Sequence, residues 1–547
     1  MRAMERKVGK IIYWVLSGAL LLVSCVNSTH VTSTSIPMFP TPTLQSTFAI
    51  PPEPSKVFVD PLLPRDFRSQ IKSSVEITFV ETLSESQVQL TFSGSPSGMN
   101  WVYALVVPFP TVMDGVDLAD LKKAWMGDFA GNAITNSIEM TAETRGIFSK
   151  LWGEPSELGV KVLAPDQIQP EPFNGMQRWA LIPFEYLNPK WKVLEIDGKS
   201  PLSKDFSEAD YPLALNVKFT GDEKAISRLN ILLESNLSLI QMTNRDSSLL
   251  SVVMLTGTTA LTRDIGKQMD AKGVMYPARD IMDWFHRADI IHISNEVSFM
   301  NGCVVGDRGK FCSKPEYLGL LPGIGTNVIE LTGNHLLDFG VDPFLFTLNL
   351  YKQNHIPYYG GGSNLEDARQ PLQIEDHGNK IAFLGCNYGF PKSDMATATS
   401  PGTNPCDNDW MKSAIQDLKS RGYMVIFTFQ DIEVCTPEPA DTQRGNFFRA
   451  AEAGADIVSG SQAHCPQAVT FHQGAFIHYG LGNLFFDQMD SLSRKEMMDL
   501  HYFYDGRYIS TQFLTAILED SAKPRPMTVN ERENLLYSIF GASVWEK

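Results

Sequence analysis

The feature that most constrains the fold is a regular alternation of short apolar runs with helical stretches, from Ser251 to about residue 479. Met424–Phe429 is typical of the runs that predict buried strands, and Thr442–Gly454 is typical of the helical stretches. This alternation predicts a layered α/β domain with polar turns at the strand ends, where such folds place their sites. Further strands are predicted at Ser251–Leu255, Asp289–Ser294, Val328–Thr332, Ile356–Tyr359, Lys380–Leu384, Asp456–Val458 and Ala475–Tyr479, and further helices at Ala278–Phe285 and Pro343–Asn354.

The length of 547 residues exceeds what one compact core usually holds and predicts more than one domain. Residues 56–245 are predicted to form a smaller α/β domain, since runs such as Val88–Phe92 alternate in the manner of strands. The layered α/β domain, with its alternating strands and helices, is predicted to span residues 250–490. Residues 491–547 are predicted to be a C-terminal extension that packs on it.

The first of these domains resembles one lobe of a periplasmic solute-binding protein. The resemblance rests on an apolar strand that ends in prolines, Trp101–Pro110, and on the helix that follows it, Asp117–Trp125, with Asp117 as a possible N-cap. It implies a solute-binding-like α/β fold. The segment carries no catalytic motif, and the sequence identifies no ligand contact in it.

The N-terminus carries several Arg and Lys residues followed by a short apolar stretch, and this pattern predicts that the chain is exported. Ile11–Val23 is shorter than a bilayer span and ends in Ser24-Cys25, which resembles a bacterial lipobox. Residues 1–25 are therefore predicted to be a lipoprotein signal peptide with Cys25 as the lipidation site. A plain secretory signal and an uncleaved anchor remain alternatives, and all three place the protein outside the cytoplasmic membrane. Residues 26–55, rich in Ser, Thr and Pro, are predicted to be a tether.

The net charge of −16, with no basic stripe after the N-terminus, argues against a nucleic-acid partner. Six further cysteines all lie in the second half of the chain, and an even number in an exported protein is compatible with disulfides. Cys303 and Cys312 flank a polar loop and are the predicted pair. No C-x-x-C spacing occurs, so a structural zinc site is not expected.

Several predicted strands end in polar residues that could converge on one site. The turn Gly333-Asn334-His335 follows the apolar run Val328–Leu331 and presents an amide and an imidazole. A two-metal hydrolase needs carboxylate, imidazole and amide ligands from several strand ends, so that two cations activate a water and bind a phosphoryl oxygen. The alternative is an ordinary strand-to-helix turn in which Asn334 caps the helix and His335 is merely exposed.

The order of these motifs resembles the CapA family of capsule and poly-γ-glutamate synthesis proteins, which has a calcineurin-like metallophosphoesterase fold. The resemblance covers about residues 251–488 and implies a layered sandwich of two sheets flanked by helices. The segments that carry it are Gly257–Leu261, Ala288–Glu296, Gly333–Gly340, the Gly-rich loop and Ala-Arg-x-Pro turn within Ile356–Pro371, Gly454–His464 and Tyr479–Gln488.

The sequence departs from the family pattern at most of the expected metal ligands. Thr258 stands where the family has an Asp, Gln430-Asp431 (or Phe429, with a shift of one) replaces a His, and Ser461 and Gln462 replace two more. Neutral hydroxyls and amides cannot supply the charge that a tightly held divalent pair requires. A complete dinuclear site is therefore not expected.

The resemblance leaves two interpretations of the second domain open. One retains a weakly held cation (Mn, Mg or Zn) at Glu296, Asn334 and His464, with Asn334 and His335 as catalytic residues of a metal-dependent phosphoesterase. The other has no metal and uses Gln430 and Gln462 to bind a polymer or solute without hydrolysis.

In both interpretations the resemblance implies a role in the synthesis, anchoring or export of an anionic capsular polymer such as poly-γ-glutamate. The implied partners are that polymer or a phosphoester ligand, the membrane through the lipid anchor, and a capsule synthesis apparatus.

Overall fold

The computed structural model describes residues 53–69, 71–74, 76–93, 99–171, 173, 177–235, 243–306, 309–389 and 391–545. The predicted signal peptide, the lipidation site Cys25 and residues 26–52 of the predicted tether lie outside the described residues. Glu53–Lys547 forms one compact unit. Within the described ranges, no helix is both long enough and apolar enough to cross a bilayer.

The first segment of this unit is built around one mixed sheet. Its strands are β1 Ser55–Val59, β2 Ile77–Val80, β3 Val88–Ser93, β4 Asn100–Pro108, β5 Gly115–Val116, β6 Ile138–Met140, β7 Val160–Val162, β8 Trp179–Pro183, β9 Trp191–Val193, β10 Glu195–Ile196 and β11 Ala214–Gly221. Its helices are α1 Arg65–Ser69, α2 Leu118–Trp125, α3 Ala142–Trp152 and α4 Glu223–Ser235. The strand order is β2-β1-β3-β11-β4-β8-β6-β7, with β9 also on β4, while β5 and β10 pair separately. Every residue of β4 is buried, as expected for an apolar strand covered on both faces.

The remaining residues form two larger sheets and their helices. The strands are β12 Leu250–Thr256, β13 Thr258–Thr259, β14 Ile290–Asn295, β15 Val328–Glu330, β16 Tyr358–Tyr359, β17 Gly361–Gly362, β18 Leu372–Asp376, β19 Asn379–Asn387, β20 Gly402–Thr403, β21 Met424–Gln430, β22 Ile457–Ser461, β23 Val469–His472, β24 Ala475–His478, β25 Asn483–Phe485, β26 Lys495–Tyr504, β27 Arg507–Glu519 and β28 Lys523–Pro526. The helices are α5 Arg263–Lys272, α6 Met282–Phe285, α7 Leu320–Gly323, α8 Val341–Gln353, α9 Leu365–Ala368, α10 Asn408–Ser420, α11 Asp441–Ala453 and α12 Val529–Ala542.

The two larger sheets stack face to face. One has the order β16-β15-β14-β12-β26-β27-β28, with β13 and β25 attached, and the other has the order β18-β19-β21-β22-β24-β23. Val253 of the first sheet and Ile426 of the second belong to one buried cluster between them. Helices α10 and α11 pack on the outer face of the second sheet, and α5 and α8 pack on the outer side of the first. The predicted layered α/β sandwich of two sheets flanked by helices is therefore confirmed.

The residues after position 491 complete the first of these sheets. Strand β26 pairs antiparallel with β12 over the whole length of β12, and β27 and β28 extend the sheet beyond it. Helix α12 begins with a capping box, in which the Thr528 hydroxyl accepts from the Glu531 N–H and the Glu531 carboxylate accepts from the Thr528 N–H. No described strand of the first segment pairs into either large sheet, although all lie in one compact unit. The predicted domain boundaries stay predictions.

Two local predictions have clear outcomes. The helix predicted over Ala278–Phe285 was too long, because a 3₁₀ turn with Pro277 at its second residue occupies Tyr276–Ala278 and the helix spans only Met282–Phe285. The Cys303–Cys312 disulfide is present, with an S–S distance of 2.04 Å. The other cysteines pair as Cys386–Cys406 and Cys435–Cys465, which the sequence did not indicate.

Candidate functional site

The candidate site lies at the carboxyl edges of the two stacked sheets. Glu296 follows β14, Asn334 follows β15, and Gln430 is the last residue of β21. Gln462 follows β22, which runs parallel to β21. Parallel strands end at a common edge, so the fold brings these four side chains together.

The centre of the cluster is the side-chain amide of Gln430, of which 1% is exposed. Its Nε2 donates to Glu296 Oε1 and to Asn334 Oδ1, each at 3.2 Å, and it also contacts Gln462 Oε1. Its Oε1 accepts from the hydroxyl of Ser461 at 2.6 Å. We name Glu296, Asn334, Gln430, Ser461 and Gln462 the amide cluster.

Glu296 is the carboxylate of the amide cluster and is 2% exposed. Its Oε2 has no hydrogen-bond partner among the described residues. The turn that carries Asn334 passes very close to it, since a Cβ on Gly333 would lie 2.6 Å from the Glu296 Cα. The glycine of the Gly-Asn-His turn is thus required by close packing of two backbones.

His464 lies on the turn that leaves β22. Its Nδ1 is 2.8 Å from Asn483 Oδ1, and the Asn483 amide donates back to the His464 carbonyl at 3.3 Å. Asn483 is also the register partner of Thr258, so the strand that carries Thr258 adjoins this pair. The backbone of the turn is strained, with φ of +80° at Gln462 and +55° at His464.

His335 lies on the more exposed side of the site, with 29% of its side chain accessible. Its Nδ1 is 2.9 Å from Asp338 Oδ2, and the same oxygen accepts from the Phe311 N–H. Burial alone would lower the pKa of His335, but the hydrogen bond with Asp338 and the charge of Glu296 raise it above its usual value. Asp338 therefore braces the turn and favours a protonated His335.

The structure adds residues whose importance the sequence did not reveal. Asp394 is 3% exposed, and burial raises its pKa to about 6, with the charge of Asp338 adding to the effect. Phe311, on the loop closed by Cys303 and Cys312, packs against His335 with ring centroids 4.3 Å apart and the ring planes tilted by 45°. Asn483, the partner of His464, is a third such residue, and it is the one of the three that the sequence could have indicated, because it lies inside the motif Tyr479–Gln488. The contacts of Asp394 and Phe311 come from loops distant in sequence.

The residues present do not fit a pair of divalent cations. The amide cluster supplies one carboxylate, one hydroxyl and three amide oxygens, and each of these amide oxygens already accepts a hydrogen bond. The Nε2 of Gln430 lies among the oxygens of Glu296, Asn334 and Gln462. Among the described residues, the one trio of His, Cys, Asp and Glu side chains close enough to share a cation is Asp289, Asp376 and His377. That trio lies away from this edge, and Lys204 already pairs with Asp289 at 2.5 Å. The predicted metal-binding roles of Glu296, Asn334 and His464 and the predicted substrate-binding roles of Gln430 and Gln462 remain predictions.

Comparison with known proteins finds a family match over the part of the chain that contains the site. Residues 252–488 match the family described as Bacterial capsule synthesis protein PGA_cap. The chain is 21% identical over 307 residues to the capsule biosynthesis protein CapA of Bacillus anthracis, covering 54% of this chain and 73% of that protein. It is 25% identical over 236 residues to the PGA biosynthesis protein CapA of Bacillus subtilis, covering 42% of this chain and 62% of that protein. Residues 252–488, which are similar to these proteins, are named the CapA segment below.

The CapA segment contains all five residues of the amide cluster as well as His335, His464 and Asn483, and it ends before β26. Among solved structures, the 5′-nucleotidase precursor of Thermus thermophilus aligns at 11% identity over 53% of this chain and 58% of its own, with a TM-score of 0.32. The NAD nucleotidase of Haemophilus influenzae aligns at 9% identity over 55% and 57%, also with a TM-score of 0.32. Likeness of this size supports no statement about the site.

Proposed function

We propose that this protein is a non-hydrolytic accessory protein in the synthesis or export of an anionic capsular polymer such as poly-γ-glutamate, held at the outer face of the membrane by a lipid on Cys25. Support for the pathway comes from the CapA segment and from the two Bacillus relatives, whose names concern capsule and PGA biosynthesis. The B. subtilis relative is covered over 62% of its length, so its activity is not transferred whole.

The observation that supports a non-hydrolytic role is the position of the Gln430 amide. Its Nε2 lies among oxygens of Glu296, Asn334 and Gln462, where a hydrolase of this fold class would need a cation. The two hydrogens of this amide are shared among the three acceptors, and the amide is not a Lewis acid that could activate a water. The amide cluster then serves to fix the turns at Asn334 and His464, which present His335 and neighbouring groups to a ligand.

The competing function is a phosphoesterase with one weakly held cation, and Glu296 favours it. Its Oε2 is buried and has no partner among the side chains that the structure describes, which is a position a cation could fill. In that case His335, next to the exposed side of the site, is the first catalytic candidate.

One experiment separates the two functions. We expect the purified protein, dialysed against manganese, to retain substoichiometric metal by elemental analysis and to leave bis(p-nitrophenyl) phosphate uncleaved. Stoichiometric metal with turnover that is lost in both His335→Ala and His464→Ala would contradict the non-hydrolytic proposal. Lys310→Ala, a change on the nearby surface, serves as the control for a general effect of substitution.

The pathway is tested in the host cell. Deletion of the gene is expected to reduce the acidic polymer recovered from the cell surface, and the wild-type gene should restore it. Unchanged surface polymer after deletion would contradict the proposed pathway, whatever the outcome of the metal experiment.

Cys25→Ala is expected to shift the protein from the membrane fraction to the soluble extracytoplasmic fraction, because a single residue would carry the lipid. Fractionation followed by immunoblotting measures the shift. Ser24→Ala keeps a small residue before the cysteine and should stay in the membrane fraction. Retention of the Cys25→Ala variant would contradict lipidation at this position.

A further inference from the structure

A cavity of about 670 Å³ opens in the first segment, well apart in sequence from the CapA segment. Its walls come from β4, β8 and the start of α3, together with the loop around Pro165. Aromatic side chains line it: Trp101, Tyr103, Tyr186 and Trp191. A cavity of this size and lining is typical of a site for a small organic molecule.

Three carboxyl groups also line this cavity, namely those of Asp66, Glu143 and Glu185. Glu143 accepts from the Arg65 N–H at 2.6 Å, and Asp66 accepts from the Tyr186 hydroxyl. These hydrogen bonds hold the carboxyl groups of Glu143 and Asp66 in place.

Glu185 is the least satisfied of the three carboxyl groups. Its Oε2 accepts from the amide of Asn244, whereas its Oε1 is buried without a hydrogen-bond partner among the described residues. The indole N–H of Trp101, a residue 1% exposed, lies beside this carboxyl and lowers its pKa, although the contact does not reach the geometry of a full hydrogen bond. A buried carboxyl group with so few donors is costly to keep ionised unless a cation lies beside it.

We propose that this cavity binds an organic cation, an amine or a polyamine, whose ammonium group pairs with Glu185 while its carbon chain lies against Trp101 and Tyr103. Ammonium groups are attracted both by carboxylates and by the faces of Trp and Tyr rings, and the attraction is strongest where water is excluded. An anionic ligand is disfavoured, because three carboxyl groups would face it. The proposal does not depend on the polymer role.

The protonation of Glu185 supports the same conclusion. Burial raises its pKa to about 7, with the charge of Asp66 contributing. The other charged groups that face it are Glu143 and, on the outer side, Arg65, while the pKa values of Tyr103 and Tyr186 are raised so that both phenols stay neutral. A bound cation stabilises the carboxylate, so binding should release protons near neutral pH and strengthen as the pH rises.

Isothermal titration calorimetry of the full-length protein with spermidine and with tyramine tests the proposal, with citrate as the anionic control. We expect at least one amine to bind, and we expect Glu185→Gln to weaken its binding by at least about tenfold, because a charge-assisted hydrogen bond is lost. Glu157→Gln, a change at an exposed carboxyl of the same segment, should bind as wild type does.

A second measurement covers the case in which Glu185→Gln does not fold. Titration of the wild-type protein in two buffers of different ionisation enthalpy should show proton release at neutral pH and tighter binding at alkaline than at acidic pH. Failure of both amines to bind, binding that is unchanged in a folded Glu185→Gln variant, or binding without proton release would each overturn the proposal.

Discussion

Replacement of Gln430 by Leu is expected to lower the free energy of unfolding by about 3–5 kcal/mol, the range typical of breaking a buried polar network that contains a charge. The substitution removes the donor shared by Glu296, Asn334 and Gln462 and the acceptor of the Ser461 hydroxyl. Guanidinium denaturation of the purified protein, followed by intrinsic tryptophan fluorescence, measures the change.

Gln370→Leu is the matched control, since Gln370 is exposed and its side chain donates to the Glu366 carbonyl within its own turn. Its effect should stay within about 0.5 kcal/mol, as is usual for surface substitutions. Equal effects of the two substitutions would show that Gln430 stabilises nothing, and the proposed non-hydrolytic role would then lose its main support.

Replacement of Glu496 by Met is expected to raise the free energy of unfolding by about 2–3 kcal/mol at pH 8, the order expected for removing an unsatisfied buried polar group. Glu496 lies on β26 with 0% exposure, and neither carboxyl oxygen has a partner among the described residues. Burial raises its pKa well above the usual value of a glutamate. Met has a similar length and keeps the packing.

The sign of the pH dependence follows from that raised pKa. The proton that Glu496 retains in the folded state makes the wild-type protein most stable below the pKa of the unfolded chain, and this stability is lost as the pH rises towards the folded pKa. The gain from Glu496→Met should therefore be larger at pH 8 than at pH 5. Glu375→Met, at an exposed strand position, should show neither the gain nor the pH dependence. A loss of stability in Glu496→Met would mean that the carboxyl is bound by an ion or a water.

The sequence predicted the strands of the layered domain well where both faces of a strand are covered. Met424–Phe429 was predicted and Met424–Gln430 is found, and the helix predicted over Thr442–Gly454 spans Asp441–Ala453. Lys495–Tyr504 was missed, because the buried charged and polar residues Glu496, Asp499 and His501 interrupt the apolar pattern that identifies a core strand.

The candidate site was predictable in its location and not in its contacts. Parallel strands end at one edge, so the convergence of Glu296, Asn334, Gln430 and Gln462 followed from their positions after apolar runs. Which way each amide turns depends on partners that only the folded chain brings near, such as Ser461 for Gln430. The raised pKa of Asp394 could not be predicted for the same reason, because it depends on burial and on the charge of Asp338, which is distant in sequence.

The pairing of β12 with β26 has a consequence for the order in which the chain folds. Every strand of the mixed sheet in the first segment precedes residue 222, so that sheet can form before the rest of the chain has emerged. Strand β12 has two neighbours in its sheet. The parallel neighbour β14 follows soon after it in the chain, whereas the antiparallel neighbour β26 comes much later. Until Lys495–Tyr504 emerges, the nascent chain exposes an apolar strand edge that other chains could add to. A gene fragment that ends at residue 488, where the family match ends, would leave this strand edge exposed permanently.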